Sequence, residues 1–221
     1  MNTDQARFNM IEQQIRPWQV LDPDVLSLLA RMRREDFVPP AARALAFFDT
    51  EIALAEGGSD GRIMLAPKLE ARLLQDLQLT RTDRVLEIGA GSGYMAALLA
   101  HQARQVLSLE IDPHLAETAQ RNLQRAGLAH AKVRHADGSG GCPAEAPFDA
   151  IMLSGSVAEV PQSLLDQLAP GGRLLAIVGQ LPVMRALRLT QVGASQFTRT
   201  ELFDTVAPRL LGFAEPTGFR F

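Results

Sequence analysis

The chain holds a single cysteine, Cys142, in 221 residues. One thiol cannot form an internal disulfide, and such usage suits a reducing compartment. No apolar run approaches the roughly 20 residues that span a bilayer, and the opening stretch MNTDQARFNMIEQQIRP lacks the apolar core of a signal peptide. The expectation is a cytoplasmic protein without a membrane partner. A basic block is missing too: 22 Lys and Arg against 25 Asp and Glu leave a net charge of -3, which gives a nucleic-acid backbone little to hold. The four histidines, His101, His114, His130 and His135, show no HExxH-like spacing, so no metal site is expected. Internal repeats and low-complexity segments are absent as well.

What is present is the composition of an ordinary globular enzyme, 47% hydrophobic and 21% charged. Residues 1–66 read as a helical lobe followed by a loop region. Met10, Ile11, Gln14 and Ile15 open an amphipathic stretch that Pro17 interrupts. LDPDVLSLLARM reads as a second helix, with Asp22 as N-cap and Pro23 at the first helical position. EIALAEGGSDGRIMLA (51–66) is glycine-rich in its middle and reads as a loop or short hairpin. Residues 67–221 alternate helix and strand. The predicted strands RVLEIG, QVLSLEID, AKVRHAD, FDAIMLSG and RLLAIVG are nearly continuous apolar runs, which points to a parallel sheet covered on both faces. PQSLLDQLA is predicted as a helix that stops at Pro170-Gly171-Gly172. MRALRLTQV and FTRTELF alternate and add an antiparallel hairpin at one edge. The fold class expected is α/β, a Rossmann-like, doubly wound, mostly parallel sheet. The lobe and the sheet domain are expected to form one unit.

A strand that runs into Gly89-Ala90-Gly91-Ser92-Gly93 and then a helix is a nucleotide-binding turn. Its glycines let the backbone turn tightly and approach a ligand whose polar groups meet the helix start. The spacing is GxGxG, with Tyr94 where a dinucleotide fingerprint carries its last glycine, which argues against a nicotinamide oxidoreductase. Glu87 lies two residues before the turn, where an acid suits the cationic amino-acid portion of S-adenosylmethionine. Glu110 ends the next strand beside Ile111, about 20 residues on, where a carboxylate accepts from both ribose hydroxyls. Asp137-Gly138 follows the third strand; its acid can reach an adenine amino group or serve as a turn residue. Asp149, at the start of its strand, reads as structural. The cofactor expected is S-adenosyl-L-methionine along Glu87, Ile88, Gly89, Ala90, Gly91, Ser92, Gly93, Glu110, Ile111, Asp137 and Gly138, with S-adenosyl-L-homocysteine as product.

With MIEQQIRP, REDFVPPAARALAF, RVLEIGAGSGYMAALLA and the block from Ala136 to Leu174 in place, the chain resembles the protein-L-isoaspartate O-methyltransferase family over nearly its whole length. The resemblance implies the class I methyltransferase fold, a carboxylate acceptor and repair of isoaspartyl residues in protein. One segment departs from it. The family carries T-I-S-Q-P ahead of the first domain helix, with its serine at the substrate carboxylate; this chain reads Ile63-Met64-Leu65-Ala66-Pro67, so Leu65 stands at the serine position. Ser154 falls at a family threonine, and Ser156 adds a second hydroxyl. A carboxylate is ionised at pH 7 and needs no general base, so losing the serine does not forbid transfer. Three alternatives stay open: Arg62 or Ser59 supplies the missing contact, the acceptor is a small molecule, or the protein binds cofactor without turnover. The substrate-side candidates are therefore Ser59, Arg62, Leu65, Pro67 and Ser154, with no catalytic residue assigned. Arg16 is a possible partner for a substrate carboxylate or a surface arginine, Trp18 shapes the pocket mouth or anchors the lobe, and Cys142 is read as a bystander.

Overall fold

A computed structural model describes residues 2–55 and 61–215. Strands β3 (Arg84–Ile88), β4 (Gln105–Glu110), β5 (Ala131–His135), β6 (Phe148–Val157), β7 (Leu168–Gln180), β8 (Val183–Gly193) and β9 (Gln196–Thr205) form one sheet in the order β5-β4-β3-β6-β7-β8-β9. The first five run parallel, and β8 and β9 close the edge antiparallel. The expected parallel sheet with a terminal hairpin is the sheet observed. The order reverses between β3 and β6, the switch point where such sheets bind ligands beyond their carboxyl ends.

Alternation along each strand sorts the core into two clusters. Val85 and Val106 face a cluster that includes helices α3 (Pro67–Leu77) and α4 (Tyr94–Ala100), Leu123 of α5 (Pro113–Arg125) and the N-terminal lobe, whereas Leu86, Leu107 and Ile151 face the other side. That second side is covered by a short helix, α6 (Gln162–Leu165), and by irregular segments that bring in Cys142, Leu210 and Phe213. The helix predicted over 161–169 is thus shortened to Gln162–Leu165, with β7 starting at Leu168. Gln167 explains the stop: its buried amide donates to the carbonyls of Ser163 (2.7 Å) and Gly140 (2.8 Å), and its oxygen accepts from the Cys142 N–H (2.7 Å). It ends the helix and pins the 140–142 loop in one step.

In the lobe, α1 (Thr3–Met10) is capped by the Asn2 side chain and widens into a π turn at Ile11–Ile15 and a 3-10 turn at Arg16–Trp18. Helix α2 (Pro23–Arg31) starts as its sequence predicts, with the Asp22 carboxylate accepting from the Asp24 and Val25 N–H groups (2.8 and 3.2 Å). Trp18 stacks edge-on against Phe203 of β9 with ring centroids 5.8 Å apart. Arg16 pairs with Glu12 (2.8 Å). Strands β1 (Ile52–Ala53) and β2 (Ile63–Met64) form the short antiparallel hairpin. Among the described residues no helix is long and apolar enough to cross a membrane.

Lobe, hairpin and sheet domain meet at Arg34, which is 1% exposed. Its guanidinium pairs with Glu70 of α3, donates to the carbonyls of Ala46 (3.0 Å) and Leu65 (2.7 Å), and lies 4.8 Å from the centre of the Tyr94 ring. Burial pushes the Glu70 carboxyl up while Arg34 pulls it down, so removing the cation leaves an acid in the core without its partner. Arg34→Ala is expected to cost about 3–5 kcal/mol, read as a fall in the urea midpoint. The double exchange Arg34→Met with Glu70→Met should recover most of that loss, and a single-variant cost below about 1 kcal/mol would mean that the pair behaves like a surface pair and does not hold the lobe.

Candidate cofactor and acceptor site

Strand β3 ends at Ile88, and the turn Gly89 to Gly93 hands the chain to α4. Gly93 sits at φ 83°, and a Cβ there would lie 3.1 Å from the Ala119 backbone, so only glycine lets α4 start this close to α5. Asn122 of α5 reinforces the approach by donating to the Ser92 carbonyl (2.8 Å). The Gly91 N–H donates to Glu110 Oε2 (2.8 Å), and the Asp112 N–H donates to Glu110 Oε1 (3.0 Å). The acid that ends β4 is thereby fixed against the turn that ends β3.

A cavity of about 470 Å³ lies over this junction. Ile88, Gly89, Gly91, Glu110, Ile111 and Gly138 form its floor, all of them cofactor candidates from the sequence. Leu54, Arg62 and Ile63 of the hairpin roof it, and Ser154 with Arg209 and Leu210 closes the far side. The Arg62 guanidinium bridges to Asp112 Oδ2 (2.7 Å) while Asp112 Oδ1 caps α5 through the His114 and Leu115 N–H groups (2.8 and 3.0 Å). The Leu115 N–H and the Arg62 cation hold the Asp112 carboxyl below the usual carboxylate range. The roof is therefore tied to the floor by a charged bond.

Other candidates stand elsewhere. Ala90, Ser92 and Gly93 shape the turn without lining this cavity. Glu87 is wholly buried behind the wall, because strand alternation turns it to the α4 side. Its carboxylate accepts from Ser108 Oγ (2.6 Å) and Ser154 Oγ (2.8 Å). Asp137 is exposed and accepts from the Ser139 N–H (2.8 Å), the turn geometry. Leu65 is 5% exposed in the main core, with its carbonyl on Arg34, and Pro67 is buried at the start of α3. The serine position of the resemblance thus faces the core in this chain, not the cavity. Ser156 Oγ donates to the Ala207 carbonyl (2.8 Å), and Asp149 accepts from the Arg84 N–H (2.8 Å). Ser59 lies outside the described residues.

The sequence reading did not single out Arg209, Leu210 or Asp112. The segment after β9 has no periodicity to flag it; it reaches the site because the Ser156 N–H donates to the Pro208 carbonyl (2.8 Å) and the Leu210 N–H donates back to Ser156 (2.9 Å). Arg209 Nη1 donates to Ser156 Oγ (3.3 Å) and its Nε pairs with Glu215 (2.9 Å). Among the described residues no cluster of His, Cys, Asp and Glu could hold a metal ion.

A glycine turn and a strand-end acid under one cavity, on a parallel sheet closed by an antiparallel hairpin, define the Rossmann-like fold of class I methyltransferases. A crystal structure from Plasmodium falciparum, described as a protein-L-isoaspartate O-methyltransferase in complex with S-adenosyl-L-homocysteine, shares that fold: it is 21% identical with a TM-score of 0.77, covering 95% of this chain and 98% of that one. Residues 5–202 match the family model for protein-L-isoaspartate(D-aspartate) O-methyltransferase, and the chain belongs to that family. Protein-L-isoaspartate O-methyltransferase of Methanoculleus marisnigri is 42% identical over 78% of this chain and 77% of its own length. Protein-L-isoaspartate O-methyltransferase 1 of Rhodopseudomonas palustris is 39% identical over 93% and 83%. The family's methyl donor is S-adenosyl-L-methionine. The floor suits it: Gly89 and Gly91 expose backbone, Glu110 keeps further lone pairs for hydroxyls, and Ile88 and Ile111 offer apolar faces.

Burial raises the Glu87 carboxyl from its ordinary 4.5 to about 7, against the two hydroxyl donors. The folded group keeps a proton that the unfolded chain has already lost. Its contribution to stability is complete below pH 4.5, is lost as pH rises to 7, and is constant above. In Glu87→Gln that dependence vanishes, so the variant should gain on wild type by up to about 3 kcal/mol between pH 4.5 and 7. Urea midpoints that shift in parallel across this range would contradict the assignment.

Proposed function

We propose that this chain transfers a methyl group from S-adenosyl-L-methionine to the carboxylate of an isoaspartyl residue in a polypeptide, with Arg209 as the acceptor's partner. The observation that carries the reading is one cavity with two unlike sides, a glycine-and-acid floor and a wall that presents a guanidinium. The donor supplies an electrophilic methyl on a sulfonium. The acceptor carboxylate is already ionised near neutral pH, so the chain's task is to align it and to exclude water.

Glu110 orients the ribose from a position locked by the Gly91 and Asp112 N–H groups. Ser154 spends its proton on Glu87, which leaves Arg209 as the donor on that wall. A guanidinium grips one carboxylate oxygen and leaves the other to attack. It also gives the acceptor what the apolar loop 63–66 cannot, so no serine is needed there. The roof residues Leu54 and Ile63 shield the cavity from water. The place of action we infer is the cytoplasm, in line with the one buried cysteine.

Two exchanges separate the sides of the cavity. Arg209→Gln should raise KM for an isoaspartyl peptide at least about tenfold, the loss of one charged hydrogen bond, with calorimetric affinity for S-adenosyl-L-homocysteine unchanged. Glu110→Ala should weaken that affinity at least about tenfold. Wild type that ignores isoaspartyl peptide yet methylates small carboxylic acids would replace the polypeptide with a metabolite. Failure to bind S-adenosyl-L-homocysteine would end the reading, and an Arg209 variant that loses cofactor affinity would move this residue to the donor side.

A further inference from the structure

The donor cavity shares Leu54, Arg62, Asp112 and Leu115 with a second cavity of about 470 Å³, and the second shares Asp36, Phe37, Asn122 and Arg125 with a third of about 460 Å³. Helix α5 contributes Leu115, Thr118, Asn122 and Arg125 in succession, three or four apart and so on one face. The opposite wall is the segment from Leu28 to Arg43, with Phe37, Val38, Pro39 and Pro40 as its apolar middle. The three cavities adjoin one another along α5, the first and second meeting at the Arg62–Asp112 pair, and together outline a groove. From Leu115 to Ala126 it runs about 16 Å along the helix.

Charge is unevenly distributed in this groove. Its acids are paired: Glu35 with Arg7 (2.8 Å), Asp36 with Arg33 (2.9 Å) and Arg43 (2.5 Å), Asp112 with Arg62 (2.7 Å). Two cations at the far end are not. The Arg31 guanidinium is exposed and makes no ion pair or hydrogen bond among the described residues. Among the described residues Arg125 reaches only neutral oxygens, Asn122 Oδ1 and the Asp36 carbonyl (3.5 Å). His101 lines the same cavity, and burial together with the charges of Arg31, His130 and Arg81 holds its imidazole below the ordinary value, so the charge of the basin comes from the two guanidiniums. A basin of positive potential therefore lies at the end of a groove that begins at the donor cavity.

Resting on the reading of that cavity as a polypeptide methylation site, we propose that the groove holds the extended chain on one side of the methylated residue, and that Arg31 and Arg125 select an acidic side chain five or more residues away. The groove sets the least separation, since about 16 Å from the edge of the donor cavity at Leu115 corresponds to about five residues at 3.3 Å each. Proline and apolar side chains in the middle suit a backbone laid flat, and the paired acids there repel nothing. The selection is for carboxylates, because the basin's donors are planar guanidiniums facing no acid of their own.

The test uses the full chain and isoaspartyl peptides of equal length, carrying Glu-Glu or Lys-Lys five or more residues from the isoaspartate on either side, with an isoaspartyl tripeptide as reference. The acidic peptide should show a KM about fivefold below that of the basic one, for one side only, and the difference should shrink with added salt. Arg31→Glu should invert the preference and Arg31→Lys keep it, with the tripeptide KM and the affinity for S-adenosyl-L-homocysteine unchanged. Equal KM values in wild type, or a preference that survives Arg31→Glu, overturn the proposal. Fluorescence anisotropy of the labelled peptides reads the groove without turnover. Acid-selective binding with no methylation would refute the reaction assigned above and keep the groove, whereas methylation without selectivity would do the reverse.

Discussion

The guanidinium of Arg34 is shut off from bulk solvent, so its neighbours must satisfy it and stay where they are. Its partners come from the loop before the hairpin (Ala46), from the hairpin's exit (Leu65), from α3 (Glu70) and from the first residue of α4 (Tyr94). Glu35, next to it in sequence, repeats the pattern on a smaller scale by pairing with Arg7 of α1. A buried charge tolerates little displacement, because each lost bond exposes a desolvated cation. The lobe is therefore fixed to the sheet domain, and the hairpin that leaves Leu65 is fixed with it. The roof of the cavity inherits its position from this contact.

The site depends on that fixed roof meeting a fixed floor. The floor is set by backbone: the glycine turn, its bond to Glu110 and the tight approach of Gly93 to Ala119. The roof is held at the opposite edge by Arg62 on Asp112, the same residue that caps α5. The third side comes from the C-terminal segment, paired to the end of β6 through Ser156. Donor-side and acceptor-side groups thus arrive from separate parts of the chain. The hairpin and the C-terminal segment can change without disturbing the turn.

Much of the fold was legible in local pattern. Apolar runs at regular spacing gave the five parallel strands and the edge hairpin, and Asp22-Pro23 gave the start of α2 to the residue. Where the pattern misled, a single long-range contact outweighed it. The helix expected across 161–169 stops at Leu165 because Gln167 bonds the 140–142 loop, a preference that no window around Gln167 contains. Glu87 and Leu65 show the same limit at the site. Spacing placed Glu87 beside the donor, and the family resemblance placed Leu65 at the acceptor, yet one stands behind the cavity wall and the other in the main core, since the face a side chain takes depends on what packs against it.

By itself the sequence determined the turn Gly89 to Gly93, the strand-end acid Glu110 and the fold class, because these rest on backbone conformation and periodicity, which are local; the family came from the resemblance of whole motif blocks. Only the tertiary structure decided that Arg209 enters the cavity, that Arg62 closes on Asp112, and that Arg31 and Arg125 share one groove. These pairs are far apart in the chain and carry no periodic signal. Sheet closure and the buried Arg34 bring them together, and neither is visible until the chain has folded.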